Sequence, residues 1–357
     1  MSTDPSPEAD DAPDAGEDTN HVPSGTDYVS DRAFADFPIS SEVLHGISEI
    51  GYVTATPVQA ATIEASIAGR DMLVRAKTGT GKTAAFCVPI IERATAGARK
   101  PQAIILAPTR ELAQQIGEEC GDIAKFKDVN LAVLVGGVAM GPQEKQLENG
   151  VEIVVGTPGR VLDHVRRKNL DLSAATMACL DEADEMLSMG FYEDVAKILD
   201  HTKDGRQVLL FSATISDETQ RLANNYLKDP EDIRLSTDAD NVDNITHVLY
   251  ETTMGLHKIR ALLYVIDLED PTSAIIFCNT REDTMTVASF LDRQGLDVQL
   301  LSGELSQNRR SQVMRKVKAG EVKFLVSTDV AARGIDISDL SHVINYSLPQ
   351  DAAVYLH

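Results

Sequence analysis

Short apolar runs alternate with amphipathic segments of helical length from Asp71 onward, and this alternation restricts the possible folds more than any other feature of the sequence. Successive strands separated by helical segments pair in parallel, and helices cover both faces of the resulting sheet. The runs in the first part of the chain are Met72–Ala76, Ala103–Ala107, Leu131–Val135, Ile153–Val155, Met177–Leu180 and Val208–Phe211. We therefore predict a six-stranded parallel sheet there.

Four more apolar runs follow a small, polar segment at 236–245, and they predict a second α/β unit. These runs are Ala274–Phe277, Val298–Leu301, Phe324–Val326 and His342–Asn345. The composition of the polar segment is typical of a linker, and 357 residues are enough for two hydrophobic cores. The predicted domains are therefore 34–235 and 246–357.

Residues 1–33 are rich in Asp, Pro, Ser, Gly and Ala and have almost no large apolar side chain, which predicts a disordered acidic tail. Nine acidic residues and one basic residue give this tail a charge of −8 within a chain total of −22. The rest of the chain is still too acidic for a broad basic surface. Nucleic-acid phosphates would therefore have to be bound by a few arginines, hydroxyls and backbone N–H groups. A role of the acidic residues in solubility or salt tolerance alone stays an alternative.

No apolar run approaches the roughly 18 residues that a membrane span requires. The acidic N-terminus does not resemble a secretory signal, so we expect a cytoplasmic protein. The wide spacing of the cysteines argues against both a zinc site and a disulfide framework. Cys87, Cys120, Cys179 and Cys278 are therefore expected to be ordinary buried thiols.

A glycine-rich segment lies between the first apolar run and a helical segment that starts near Lys82. Glycines allow backbone N–H groups to surround a phosphate, and the helix N-terminus adds a favourable dipole. In such a loop Lys82 supplies a positive charge and Thr83 can bind Mg²⁺. The candidate nucleotide-binding residues are Ala76, Lys77, Thr78, Gly79, Thr80, Gly81, Lys82 and Thr83. A glycine turn without a ligand is the alternative, which the flanking strand and helix disfavour.

Three acidic residues follow the run Met177–Leu180 in the segment Asp-Glu-Ala-Asp at 181–184. An acidic side chain at the end of a strand can bind the Mg²⁺ of a nucleotide, which assigns Asp181 to the metal together with Thr83. Glu182 is then placed to orient or deprotonate the attacking water. A solvated helix cap is the alternative for this segment.

The literal Asp-Glu-Ala-Asp segment and the glycine-rich loop resemble those of the DEAD-box RNA helicase family, and the resemblance extends from Phe34 to His357. The longer stretch Asp-Glu-Ala-Asp-Glu-Met-Leu-Ser-Met-Gly-Phe is most similar to the bacterial cold-shock members. The resemblance implies two tandem RecA-like α/β domains of the P-loop NTPase type. It also implies ATP and Mg²⁺ at the edge of the first domain, and RNA bound across both domains without sequence specificity.

Adenine recognition is implied by a further similarity to this family. Phe34 lies 17 residues before a Gly-Tyr pair, and Gln59 ends the segment Thr-Pro-Val-Gln. By this resemblance Phe34 stacks on adenine, Gln59 reads the adenine edge, and Asp336 in the second domain faces the ribose. Ala55 stands where the family usually has proline, which should only loosen the turn. Such a site rejects other bases by leaving buried polar groups unpaired.

The resemblance also implies a set of RNA-binding residues in short polar segments. Hydroxyl groups, N–H groups at glycines and isolated arginines contact phosphates and sugars without reading the bases. The implied residues are Pro108, Thr109, Arg110, Gly136, Gly137, Thr157, Pro158, Gly159, Arg160, Arg310 and Thr328.

The Ser-Ala-Thr segment at 212–214 resembles the family segment that links ATP hydrolysis to strand separation. Ser212 and Thr214 follow a predicted strand, and their hydroxyls can hydrogen-bond the acidic segment. The predicted catalytic residues are therefore Lys82, Asp181, Glu182, Ser212 and Thr214.

The implied function is that of an ATP-dependent RNA helicase that closes its domains on ATP and RNA and locally unwinds short duplexes. In the family an arginine-rich segment follows the position of His357, the last residue here. We therefore expect an incomplete second domain and little ATP hydrolysis, because an arginine finger raises turnover about a thousandfold or more in related NTPases. An ATP-dependent RNA clamp and a DNA-translocating motor stay as alternatives, and no protein partner is predicted.

Overall fold

A computed structural model of the chain describes residues 30–77, 79–235, 245–252, 257–303, 305, 307–332, 340–349 and 355. Several sequence predictions lie outside these residues. They concern nearly all of the acidic tail, Thr78, the linker at 236–244 and Asp336. The predicted domain boundaries stay predictions.

The first part of the chain forms a seven-stranded sheet in which every strand pair is parallel. Its strands are β1 (Met72–Arg75), β2 (Ala103–Leu106), β3 (Leu131–Leu134), β4 (Ile153–Gly156), β5 (Met177–Leu180), β6 (Gln207–Ser212) and β7 (Glu231–Arg234). The strand order is β3-β4-β2-β5-β6-β1-β7. All six predicted runs are strands, and the parallel arrangement is confirmed.

The prediction of six strands in this sheet was wrong, because it missed β7. This strand pairs with β1 at the edge of the sheet, with Glu231 opposite Met72. Its residues are half-buried or exposed, and Ile233 is its only apolar residue. An edge strand with one partly covered face does not need the apolar run by which the central strands were recognised.

Nine α-helices and one short 3₁₀ helix belong to the described part of this first unit. The 3₁₀ helix spans Phe34–Asp36. The α-helices are α1 (Ser41–Glu49), α2 (Pro57–Ile67), α3 (Lys82–Arg93), α4 (Arg110–Ile123), α5 (Met140–Glu148), α6 (Pro158–Arg166), α7 (Ala183–Ser188), α8 (Tyr192–Asp200) and α9 (Asp217–Tyr226).

The helices cover both faces of the sheet and create two hydrophobic clusters. Ile105 of β2 faces the cluster formed with α1 to α4, whereas its neighbour Ile104 faces the cluster formed with α6 to α9. Successive strand residues point to opposite faces, so a strand buried on both sides must be apolar throughout. This is why the central strands are visible in the sequence as uninterrupted apolar runs.

A second, four-stranded parallel sheet lies in the later part of the chain, with strand order β11-β8-β10-β9. Its strands are β8 (Ala274–Cys278), β9 (Val298–Leu301), β10 (Phe324–Thr328) and β11 (His342–Asn345). Its helices are α10 (Lys258–Glu269), α11 (Arg281–Arg293), α12 (Gln307–Lys318) and α13 (Asp329–Ala332). The predicted fold class, two parallel-sheet α/β units, is confirmed. Across the described residues, no helix is both long and apolar enough to cross a membrane.

A disulfide joins Cys87 of α3 to Cys120 of α4, which corrects the expectation that all four cysteines are thiols. The two cysteines are 33 residues apart in sequence, but α3 and α4 pack side by side and bring their Cα atoms to 5.6 Å. Spacing along the chain could not reveal this contact. Cys179 and Cys278 are free and buried, as expected.

We predict that reduction of the Cys87–Cys120 disulfide destabilises the first domain by about 3 kcal/mol, because the bond closes a loop of 33 residues. The measurement is the free energy of unfolding in urea, with and without a reductant. The control is the Cys87→Ser, Cys120→Ser double variant, whose stability should not respond to the reductant. Equal stability of the parent chain in both conditions would contradict the prediction.

Candidate functional site

The glycine-rich loop connects the end of β1 to the start of α3 at the carboxyl edge of the first sheet. The side chain of Lys82 is buried, and its Nζ donates a hydrogen bond of 3.0 Å to the Ala76 carbonyl. The Thr80 hydroxyl donates to the Lys77 carbonyl at 2.8 Å. The loop is thus held by its own side chains, with the N-terminus of a 12-residue helix directed at the same point.

Gly81 is a position in this loop that only glycine can occupy. Its φ is +88°, and a Cβ atom there would lie 2.6 Å from Nε2 of Gln59. That Nε2 donates to the Gly81 carbonyl at 3.0 Å, while Oε1 of Gln59 accepts from the Thr56 N–H at 2.8 Å. The buried Gln59 side chain therefore caps α2 and also fixes the backbone of the loop.

The acidic segment follows β5 and faces the same edge of the sheet. Burial raises the pKa of Asp181, and the nearby charge of Lys82 opposes this shift. Burial, and then the charge of Asp181, raise the pKa of Glu182 to about 7. Glu182 has a φ of +49°, a conformation that is strained for any residue with a Cβ atom. Strain of this kind is concentrated at functional sites.

Asp184 is hydrogen-bonded to the Ser-Ala-Thr segment that follows β6, as predicted. Its Oδ2 accepts from the N–H of Thr214 at 2.8 Å and from the Thr214 hydroxyl at 2.7 Å. The Asp184 N–H in turn donates to the hydroxyl oxygen of Ser212 at 3.2 Å. Since β5 and β6 are neighbours, the two segments are linked at the point where both strands end.

Phe34 lies in the hydrophobic core, with 2% of its surface exposed. Its ring is stacked against that of Tyr52, with a centroid distance of 6.2 Å and an angle of 19°, and it also contacts Phe37. Phe34 is therefore part of the core and does not lie on an open surface. Its stacking on adenine stays a prediction from the resemblance.

Sequence reasoning missed Glu119, a half-buried acidic residue on α4. Its Oε1 accepts a hydrogen bond from the Tyr52 hydroxyl at 3.3 Å. Burial raises the pKa of Glu119 to about 7. The signal in the sequence was an acidic residue directly before the buried Cys120 on an amphipathic helix.

The predicted RNA-binding segments of the first domain come together on one surface. The Arg110 side chain at the start of α4 lies directly against Gly137, whose φ is +73° and where a Cβ atom would overlap the guanidinium. Nη2 of Arg160 donates to the Val138 carbonyl at 3.2 Å. The Thr109 hydroxyl caps the N-terminus of α4, because it accepts a hydrogen bond from the N–H of Leu112.

Two predicted RNA-binding residues lie in the second sheet unit, and one of them contacts the first. Arg310 of α12 forms an ion pair with Glu111 of α4, and its Nη2 donates to the Ala331 carbonyl at 2.7 Å. The Thr328 hydroxyl accepts from the N–H of the same Ala331 at 3.2 Å. Arg310 therefore connects α13, the short helix that follows β10, with the helix that begins at Arg110.

A buried polar network lies beneath the surface of Arg110 and Gly137. Nε2 of His164 is 3.3 Å from Oε1 of Gln143, and Nε2 of Gln143 donates to the Val135 carbonyl at 3.0 Å. His164 is fully buried, and burial lowers its pKa, with the charge of Arg160 acting in the same direction. A neutral His164 therefore connects α6 to α5 and to the end of β3.

The donor chemistry of the loop and the acidic segment suits a magnesium ion bound with a nucleotide. Thr83 and Asp181 offer hydroxyl and carboxylate oxygens, which are the ligands that Mg²⁺ prefers. Within the part of the chain that the structure describes, no three His, Cys, Asp or Glu residues form a metal site of their own. Mg²⁺ that accompanies a nucleotide is usually held by one or two protein oxygens together with phosphate oxygens.

The fold and the loop together define a P-loop nucleotide-binding protein with two α/β units. A family model described as DEAD/DEAH box helicase matches residues 56–222, and a model described as Helicase conserved C-terminal domain matches residues 257–357. The chain belongs to the DEAD-box helicase family.

Relatives with assigned names support this membership. The chain is 40% identical to the ATP-dependent RNA helicase DeaD of Escherichia coli (strain K12) over 92% of its own length and 52% of that protein. It is 41% identical to the RNA helicase CrhR of Synechocystis sp. over 91% of its length and 66% of that protein. The chain thus spans about half the length of DeaD and about two thirds of CrhR.

Solved structures of the family have the same arrangement of elements. Saccharomyces cerevisiae Dbp5 bound to RNA and ADP BeF3 superposes with a TM-score of 0.82 at 30% identity, covering 91% of this chain and 84% of Dbp5. A DEAD box protein from the hyperthermophile Methanococcus jannaschii gives a TM-score of 0.56 at 38% identity, covering 91% of this chain and 87% of that one.

We predict that the His164 network makes the stability of the first domain depend on pH. The pKa of the buried His164 is lowered below its unfolded value of about 6.5, so the unfolded state binds the proton more tightly. Stability is therefore retained above about pH 6.5 and lost as the pH falls below it.

The measurement is the melting temperature of the parent chain and of His164→Gln between pH 8 and pH 5.5. The variant should lose less stability on acidification, and the control His201→Gln, at an exposed histidine, should behave like the parent. Parallel curves for the parent and His164→Gln would show that the network does not carry this pH dependence.

Proposed function

We propose that this chain is the ATP-dependent helicase part of a DEAD-box protein, that it binds RNA and ATP, and that it locally separates short RNA duplexes. The observation that carries the proposal is the arrangement at one sheet edge of the buried Lys82, the acidic segment and its hydrogen bonds to Ser212 and Thr214. The helicases DeaD and CrhR among its relatives support the same reaction.

ATP phosphates would bind in the loop that follows β1. The N-terminus of α3 and the backbone N–H groups around Gly81 provide partial positive charge, and Lys82 adds a full one. Lys82 would transfer its hydrogen bond from the Ala76 carbonyl to a phosphate oxygen. Thr83 and Asp181 would hold Mg²⁺, which when bound neutralises charge on the phosphates.

Glu182 is proposed to orient the water that attacks the terminal phosphate. Its strained backbone lies at the end of β5, directly after Asp181, which would bind the metal. Asp184, on the other side of the segment, is bound to Thr214 and Ser212. A change at the phosphates that moves this segment would therefore also move the end of β6.

RNA would bind across the surface that includes Arg110, Gly136, Gly137 and Arg160 in the first domain, and Arg310 and Thr328 in the second. Backbone and side-chain donors of this kind contact the phosphates and sugars, so binding should be independent of sequence. The ion pair between Arg310 and Glu111 joins the two parts of this surface. Closure of the domains on ATP would then bend the bound strand out of duplex geometry.

Two other functions of the site are less well supported. A clamp without hydrolysis would not need Glu182, whereas a DNA motor would not need the literal Asp-Glu-Ala-Asp segment at 181–184. A cytoplasmic location is part of the proposal, on the basis of the sequence alone.

The proposed function predicts slow ATP hydrolysis that RNA stimulates. Single-stranded RNA should raise turnover at least several-fold, and DNA of the same sequence should raise it much less, because 2′-hydroxyl contacts distinguish RNA. Glu182→Gln should reduce turnover by about 100-fold or more while ATP still binds. Equal stimulation by RNA and DNA would favour the DNA motor, and RNA-dependent ATP binding without hydrolysis would favour the clamp.

The adenine assignment predicts that ATP binds at least about tenfold more tightly than GTP, because hydrogen-bonding sites strongly reject mismatched groups. Gln59→Ala should reduce the ratio of the two affinities. It should also weaken the binding of both nucleotides, because the Gly81 carbonyl loses its hydrogen bond from Gln59. The measurement is calorimetric titration with each nucleotide. The exposed Gln220→Ala serves as a matched control that should leave both affinities unchanged. Equal affinities of the parent for ATP and GTP would contradict the adenine assignment.

A further inference from the structure

Gln143 is the only buried residue of α5, although its side chain is polar. The other residues of this helix are half-buried or exposed. A surface helix normally turns apolar side chains toward the core. A buried amide is costly unless it is hydrogen-bonded, so a glutamine at this position depends on the partners that surround it. The nucleotide and RNA contacts proposed above give Gln143 no role.

Both ends of the Gln143 amide have a hydrogen-bond partner. Its Nε2 donates to the Val135 carbonyl at 3.0 Å, and its Oε1 lies 3.3 Å from Nε2 of the fully buried His164. Because an amide oxygen can only accept, Nε2 of His164 must carry the proton in this contact. The hydrogen bonds therefore run in one direction, from α6 through α5 to the residue that follows β3.

The two carbonyl groups that flank the Gly-Gly pair at 136–137 are both hydrogen-bonded. The Val135 carbonyl accepts from Gln143, and the Val138 carbonyl accepts from Nη2 of Arg160 at 3.2 Å. The first bond is buried, whereas the second is exposed to solvent. A hydrogen bond is stronger where water is excluded. Gln143 is therefore the firmer of the two anchors of this glycine loop.

The anchored loop carries part of the proposed RNA surface. Gly137 is exposed, and the Arg110 guanidinium lies directly against it. A shift of the Val135 backbone would therefore displace both a glycine and an arginine that are proposed to contact phosphates. The chain has a net charge of −22 and no broad basic surface, so neighbouring positive charge cannot replace a displaced donor.

We propose that Gln143 and His164 are positioning residues for RNA, which hold the loop at 136–137 and α6 in the arrangement that contacts the phosphates. The inference rests on the proposed function, because it assumes that these segments bind RNA. Neither side chain would touch the RNA, since both are buried. They act by making the surface above them rigid, so that less ordering is required when RNA binds.

The alternative is that this network only stabilises the fold, and the two roles differ in their effect on salt dependence. When single-stranded nucleic acid is bound, the logarithm of the affinity falls with the logarithm of the salt concentration, with a slope of about −0.7 per phosphate contacted. A packing role lowers the melting temperature and leaves this slope unchanged. A positioning role makes the slope shallower by about 0.7 for each phosphate contact that is lost.

The experiment measures the binding of a fluorescein-labelled oligouridine by anisotropy, with ADP and beryllium fluoride present, over a range of KCl concentrations. Gln143→Leu keeps the size of the side chain and removes both hydrogen bonds. We expect its dissociation constant for the RNA to rise about tenfold, because a buried carbonyl loses its donor. We also expect a salt slope that is shallower by about 0.7 or more. The affinity for a fluorescent ADP analogue, measured without RNA, should stay within about twofold of the parent, because the anchored loop is not part of the nucleotide site.

Two variants of His164 separate the loss of the hydrogen bond from the loss of the ring. His164→Gln offers an amide nitrogen in place of the ring Nε2, and it should bind RNA within about twofold of the parent. His164→Leu has no donor and should resemble Gln143→Leu in both affinity and salt slope. If Gln143→Leu does not fold, this pair decides the question.

Gln146→Leu is the matched control, because it makes the same substitution at an exposed glutamine of the same helix. It should bind RNA with the affinity and the salt slope of the parent. All titrations are made below the melting temperature of every variant. An unchanged salt slope in a folded Gln143→Leu, or an equal loss of nucleotide affinity, would overturn the inference alone. A parent chain that binds no RNA under any condition would overturn the proposed function, and the inference with it.

Discussion

In the first sheet every neighbouring pair of strands is parallel, so the carboxyl ends of β1, β5 and β6 lie side by side at one edge. The glycine-rich loop, the acidic segment and the Ser-Ala-Thr segment each begin where one of these strands ends. Their contacts depend on this pairing: Thr214 reaches Asp184 because their strands are neighbours. The chemistry of the site is therefore a consequence of strand order, and each segment alone would be an ordinary turn.

Electrostatics at this edge are unbalanced within the described residues. Asp181 is close enough to act on both Glu182 and Glu119, and Lys82 is the cation that acts on Asp181 and Glu182. Burial raises the pKa of each of the three carboxyl groups, because a negative charge is costly where water is excluded. A nucleotide adds still more negative charge. The site is therefore suited to a ligand that arrives together with a divalent cation.

The sequence predicted those parts of the structure that depend on burial and on local loop chemistry. All ten predicted strands were found. Most of them are buried along all or nearly all of their length and are therefore mainly apolar, whereas β7 has Ile233 as its only apolar residue. Contacts that depend on how helices pack were not visible. The disulfide of Cys87, the burial of Phe34 and the position of Glu119 each depend on helix packing that no local pattern encodes.

The disulfide between α3 and α4 joins the helix that starts at the nucleotide loop to the helix that starts at Arg110. Two packed helices joined by a covalent bond cannot slide past each other, so we expect them to move as one body. Amide hydrogens along both helices should then exchange with solvent as a single cooperative unit. If the nucleotide loop and the proposed RNA-binding surface move differently, other parts of this edge must change conformation. The glycines at 136 and 137 and the residues after β5 and β6 are the parts of this edge that are free of that constraint.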